Sequence, residues 1–158
     1  MKKLPLLSFF ILSVLLLVSC SKSIVFEEKV VFPNNNWSFD IKSQTFEAPL
    51  KSSKKPYAIV LELELTGTPN VKMFYADFIM ATPTRGIAKQ QVVFNFANPK
   101  EPLIQGTSPK EKILRLTVYP KKYLSETGIY SFKVDQFSNN YDNYNIRALR
   151  LYIERIKN

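Results

Sequence analysis

The chain has 158 residues, 46% of them apolar, which is enough for one core of ordinary size and too little for two. Twenty-two basic residues against 13 acidic ones give a formal charge of +9. One cysteine and no histidine exclude an internal disulfide, a Cys/His metal site and every catalytic scheme that needs an imidazole.

The first element is an address. Lys2 and Lys3 precede an apolar run from Leu4 to Val18, and Leu17-Val18-Ser19-Cys20 closes it. That pattern predicts a bacterial lipoprotein signal peptide over residues 1–19, with Cys20 as the lipid-attachment residue and membrane contact through its acyl chains. The run is short of the ~20 residues that a spanning helix needs, which weighs against the competing reading of a membrane anchor with an incidental cysteine. Removing nineteen residues with their two lysines leaves 139, with a net charge of +7. Outside the cytoplasm no nucleic-acid partner is expected. The charge then suits an anionic envelope surface or plain solubility. Its local clusters are Lys51/Lys54/Lys55, Lys110/Lys112 and Lys121/Lys122, all in or beside predicted loops.

Residues 20–158 read as a single all-β domain. Glycine and proline punctuate the chain at intervals of about ten, and between them apolar residues alternate with period two. Ile24, Phe26, Val30 and Phe32 share one side of the first window, and Trp37, Phe39 and Ile41 continue the pattern after Pro33-Asn-Asn-Asn. Tyr57, Ile59, Leu61, Leu63 and Leu65 oppose Glu62 and Glu64. Residues 71–82 are apolar on both faces and predict a central strand, turned by Pro83-Thr-Arg-Gly86 into Val92, Phe94 and Phe96. Leu114, Leu116 and Val118 oppose Arg115, Thr117 and Tyr119, and Tyr130, Phe132 and Val134 oppose Ser131, Lys133 and Asp135. Residues 145–156 fit a helical stripe as well as a strand; the alternation of Leu149, Leu151 and Ile153 favours an edge or closing strand. About eight strands predict an antiparallel β-sandwich, immunoglobulin-like or jelly-roll-like. Glu126-Thr-Gly-Ile-Tyr-Ser-Phe132 resembles the corner of immunoglobulin-like sandwiches, in which Gly128 supplies the turn and the Tyr130 hydroxyl returns to a loop backbone.

Chemistry-bearing constellations are few. Glu62 and Glu64, about 6.6 Å apart along a strand face, could serve as paired acids or cation ligands; a polar outer face explains them more simply. Asp77 reads as the solvent side of its strand. No phosphate loop, nucleophile elbow or metal motif is present, so no catalytic residue, cofactor or metal is expected and the protein reads as a non-enzyme. Ser138-Asn-Asn-Tyr-Asp-Asn-Tyr-Asn145 sets Tyr141 and Tyr144 among adaptable polar groups, as recognition loops do, though Asn and Asp are also common turn formers. Tyr119 joins them as a third candidate for an interaction surface. Trp37 is expected in the core.

The signal peptide, Asn34-Asn-Asn-Trp37, the strand pair around Phe74 to Phe96, Gly128-Ile-Tyr-Ser-Phe-Lys-Val-Asp-Gln136 and Ala148-Leu-Arg-Leu-Tyr-Ile-Glu-Arg155 together resemble the gliding-motility lipoprotein GldH family. The resemblance implies a non-enzymatic accessory or scaffold component of a gliding apparatus that works beside a secretion machinery, with envelope proteins of that complex as partners. It transfers a chemical role to Cys20 alone. Cys20-Ser-Lys-Ser23 lacks the acidic run that exports such lipoproteins to the surface, so the expected location is the outer membrane, facing the periplasm. The alternative is a glycan-binding or envelope-maintenance lipoprotein, with Tyr141, Tyr144 and Tyr119 stacking on sugars; any small-molecule ligand is unknown.

Overall fold

The computed structural model describes residues 23–99, 103–106 and 108–156; the segment expected to be a signal peptide, residues 1–19, and Cys20 lie outside the described residues. Nine strands follow in chain order: β1 (Ser23–Val31), β2 (Ser43–Leu50), β3 (Tyr57–Leu65), β4 (Met73–Ala81), β5 (Ile87–Asn95), β6 (Ile104–Gln105), β7 (Lys112–Lys122), β8 (Gly128–Gln136) and β9 (Ile146–Arg155). They form two antiparallel sheets, β1-β9-β3-β7-β6 and β2-β8-β4-β5, packed as a sandwich.

The pairing is nested. β4 pairs with β5, β3 with β7, β2 with β8 and β1 with β9, so the chain is one long hairpin with its tip at residues 82–86. Rolling that hairpin adds the β3·β9 and β4·β8 pairs and closes the two sheets. This is jelly-roll order, with β6 as a two-residue addition on β7, and it removes the immunoglobulin-like alternative.

Inward-facing residues of both sheets make one core, which includes Leu61, Leu63, Phe78, Phe94, Phe132, Leu151 and Ile153. Trp37 is fully buried there, stacked on Phe32 with ring centroids 4.8 Å apart and tilted against Phe74 at 4.9 Å. Tyr130 closes its corner as expected: its hydroxyl donates to the Glu126 carbonyl and accepts from the Glu126 N–H, both at 3.1 Å. β4 is interior to its sheet and turns into β5 through residues 82–86.

Four expectations change. Residues 39–41 form a 3₁₀ turn, and Phe39 points to solvent because the chain there crosses from one sheet to the other. β2 escapes notice in the sequence, since its outward positions are polar and Pro49 reads as a breaker; β2 is a sheet edge, where proline forfeits no ladder bond on the free side. Residues 146–155 are a strand, but β9 lies between β1 and β3 rather than at an edge. Tyr119 does not oppose Val118. The β3·β7 register shifts at Ile59/Val60, and the Tyr119 ring turns inward, edge-on to Phe78 at 6.1 Å.

Candidate functional site

Glu62 and Glu64 do lie on the outer face of the five-stranded sheet, yet they are nearly dry, 5% and 8% exposed. Long cationic side chains from neighbouring strands cover them. Glu64 takes Lys29 at 3.2 Å, Arg147 at 3.1 Å and Arg150 at 2.6 Å. Arg115 bridges Glu62 (3.7 Å) and Glu154 (2.9 Å), while Arg147 also reaches Glu111 and Arg150 reaches Glu27. The two carboxylates are driven apart electrically. Burial raises the pKa of Glu62 against the pull of Arg115 and a Tyr152 hydrogen bond. Burial acts on Glu64 too, but its bond to Lys29 and the charges of Lys29, Arg150 and Arg147 outweigh it and lower the pKa. Each acid is engaged by cations of adjacent strands, so this face is a self-neutralising lattice. Asp77 sits on the outer side of β4 with Lys89 at 2.7 Å. Among the described residues no group of three or more metal-ligating side chains occurs.

The loops at the two ends carry the remaining candidates. At one end, residues 32–42, 66–72 and 137–145 converge. Asparagines stitch them together because the amide both donates and accepts, and because Asn tolerates the positive φ found at Asn34, Asn35 and Asn145. Asn143 is fully buried: its amide donates to the Trp37 carbonyl at 2.9 Å, its Oδ1 accepts from Ser138 Oγ at 2.8 Å, and its backbone N–H donates to Asn36 Oδ1 at 2.8 Å. Asn36 Nδ2 donates to Asp142 Oδ1 at 2.7 Å, and Asn70 joins the third loop through the Tyr144 N–H and the Asp142 carbonyl.

On this frame the aromatic rings stand out. Tyr141 is 57% exposed and Tyr144 49%. Tyr144 donates to Asp142 Oδ2 at 3.0 Å, and Asp40 holds the Tyr141 hydroxyl; these bonds to carboxylates raise both phenol pKa values. Phe39 lies 6.1 Å from the Tyr141 ring, and Tyr75 pairs with Phe137 at the same separation. Between Phe39 and Phe137 is a shallow depression of about 350 Å³, floored by Asp77, Gln91 and Asp135. Exposed aromatic rings beside hydrogen-bonded polar groups have the composition of a recognition surface, one whose polar groups already have fixed partners.

Thus Tyr141 and Tyr144 come together, and Tyr119, half-buried against the core near the other end of the sandwich, does not join them; burial raises its pKa. Phe39, Asn36, Asn70 and Phe137 were missed, since they are far from residues 138–145 in sequence. The repeated Asn-rich turns at 34–36 and 139–145 were the available signal. No family model, no curated protein and no solved structure matches this chain.

Proposed function

We propose that the protein is a lipid-anchored, non-enzymatic adapter of the bacterial envelope, tethered through Cys20 to the periplasmic side of the outer membrane. In this reading its aromatic end engages another envelope protein of a gliding or secretion complex. The observation that carries it is the polarity of the sandwich. β1 opens at Ser23, so the chain enters at one end, and Phe39, Tyr141 and Tyr144 occupy the other. Nine-residue strands at ~3.3 Å per residue set the two ends about 30 Å apart. Only three residues stand between Cys20 and Ile24, so a tether of that length reaches no more than about 15 Å and the far end is the one presented to partners. The GldH resemblance supplies the type of complex.

Deleting the gene and scoring colony spreading and secretion of surface proteins tests the reading. Both are expected to fail, to return with the wild-type gene, and to stay defective with Cys20→Ala or with Tyr141→Ala/Tyr144→Ala. Normal spreading and secretion in the deletion strain overturn the proposal. Binding of the protein to a glycan array, lost in the double tyrosine variant, would instead favour the glycan-binding alternative.

A further inference from the structure

The end at which the chain enters has a composition unlike the rest of the surface. It gathers loops that are far apart in sequence: 51–56, 82–86 and 123–127, together with the ends of β7 and β9. Hydrogen bonds join them into one plate. Ser53 N–H donates to the Leu124 carbonyl at 3.3 Å, Ser52 N–H to Thr127 Oγ1 at 2.9 Å, Tyr57 OH to the Lys51 carbonyl at 3.0 Å, and Ile156 N–H to the Pro56 carbonyl at 3.0 Å.

Lys51, Lys54, Lys55 and Lys121 project from this plate into solvent, with Lys122 beside them over the Tyr119 ring. Arg85 and Arg155 extend the cluster to the adjoining corners. Among the described residues none of these seven cations forms a salt bridge. The acids of this end are already engaged: Glu126 accepts from the Thr84 N–H and hydroxyl, and Glu154 from Arg115. Exposed apolar groups are interspersed with the charges, namely Tyr123, Ile87, Ile129 and Ile24. The opposite end differs, since there Lys42, Lys72, Lys110 and Lys112 share the surface with Asp40, Glu111 and Asp142.

We infer that this basic end is a docking surface for anionic lipid headgroups, on which the sandwich stands with its strands directed away from the bilayer. Charge and composition select the occupant. Lysines attract an anionic headgroup layer while Tyr and Ile side chains settle at the boundary, as they do in interfacial anchors. Chain geometry selects it as well: the apolar run ends at Val18, and the four residues from there to Ser23 hold this end within about 18 Å of whatever that run or its lipid enters. An acidic protein would not require exposed Ile87 and Ile129 beside the lysines, nor the entry of the chain at the same end. The inference rests on the anchored reading for proximity and on the charge pattern for orientation.

The test uses the full-length protein, purified from membranes and reconstituted in phosphatidylcholine vesicles with or without phosphatidylglycerol. Lysine acetylation is then mapped by mass spectrometry. Lys51, Lys54, Lys55, Lys121 and Lys122 should be protected several-fold only in the anionic vesicles, and should lose protection at high salt, with Lys110 and Lys112 unchanged in both. Lys54→Glu/Lys55→Glu/Lys121→Glu should abolish the protection of Lys51 and Lys122 while the buried Trp37 keeps its native emission. At about a factor of five per lysine removed, with repulsion from the three added carboxylates on top, the soluble domain released by proteolysis at residues 21–23 should bind anionic vesicles at least about a hundredfold more weakly in that variant. Equal labelling in the two vesicle types, or equal protection by a soluble polyanion such as heparin, overturns the inference. The mass of the N-terminal peptide reports lipidation of Cys20 separately, so failure of the anchor and failure of the docking surface are told apart.

Discussion

Two glutamates two residues apart on β3 show how far single residues can be read. Their shared face was legible from the i, i+2 spacing. Their opposite electrostatics were not, because the deciding partners are Lys29, Arg115, Arg147 and Arg150, up to 86 residues away. Removing a partner from a buried ion group leaves uncompensated charge, whereas neutralising an acid already penalised by burial does not. Glu64→Gln should therefore lower stability at neutral pH by about 2–4 kcal/mol, and Glu62→Gln should leave it unchanged or raise it by up to about 1 kcal/mol. The signs carry into pH. Glu64 titrates below the ordinary 4.5 in the folded state, so its contribution is full above that value and is lost as pH falls through its lowered pKa. Glu62 titrates above 4.5, so its contribution is full below that value and is lost as pH rises through its raised pKa. Urea unfolding followed by Trp37 emission across the acid range measures both; identical pH profiles for the two variants would refute the assignment. Asn143→Ala, which strands the Trp37 carbonyl and Ser138, should cost about 2–3 kcal/mol in the same assay.

At the scale of elements, alternation identified most strands because each has one face on the core, and it failed where that condition lapsed. β2 carries polar groups on its free face and Pro49, and Phe39 belongs to a crossing rather than a strand. β9 was legible as a strand but not as an interior one; its outward Arg147, Arg150 and Tyr152 look like an edge until the acids that cover them on β1 and β3 are known. The corner before β8 was legible because its Tyr130–Glu126 hydrogen bonds span only four residues, whereas part of what holds Gly128 comes from a distant turn. Gly128 has φ +149°, and a Cβ there would lie 2.9 Å from Pro83 Cβ and Cγ, on the turn that joins β4 to β5. Gly128→Ala should thus cost about 2–3 kcal/mol through backbone strain and the clash together. Gly86→Ala meets only the Thr82 side chain, whose hydroxyl is nearest at 3.1 Å, and should cost less than about 1 kcal/mol. Thermal unfolding of the two variants decides it; equal losses would place the constraint in the turn as a whole rather than at the corner.

For the whole molecule, alternation and turn spacing carried the fold class, but strand order lies in long-range pairing that no local pattern reports. The order found has a consequence for folding. β4 and β5 are joined by five residues, whereas β1 and β9 pair Ser23 with Arg155. Closing the outermost pair first would carry the full entropy of that loop; once β4·β5, β3·β7 and β2·β8 have formed inside it, little loop remains to be closed. The hairpin should zip from its tip outward and roll as the inner pairs meet β8 and β9. Such a non-local topology folds on the order of milliseconds to seconds, and its transition state should hold β4 and β5 with β1 still free. Val92→Ala, on the inward face of β5, should therefore slow refolding nearly in proportion to its loss of stability, and Val30→Ala on β1 should chiefly speed unfolding. Trp37 supplies the probe, because its pocket is complete only when Phe32, after β1, meets Phe74 on β4. Refolding slowed as much by Val30→Ala as by Val92→Ala would mean that the ends of the chain meet before the hairpin closes, and the outward zipping would be wrong.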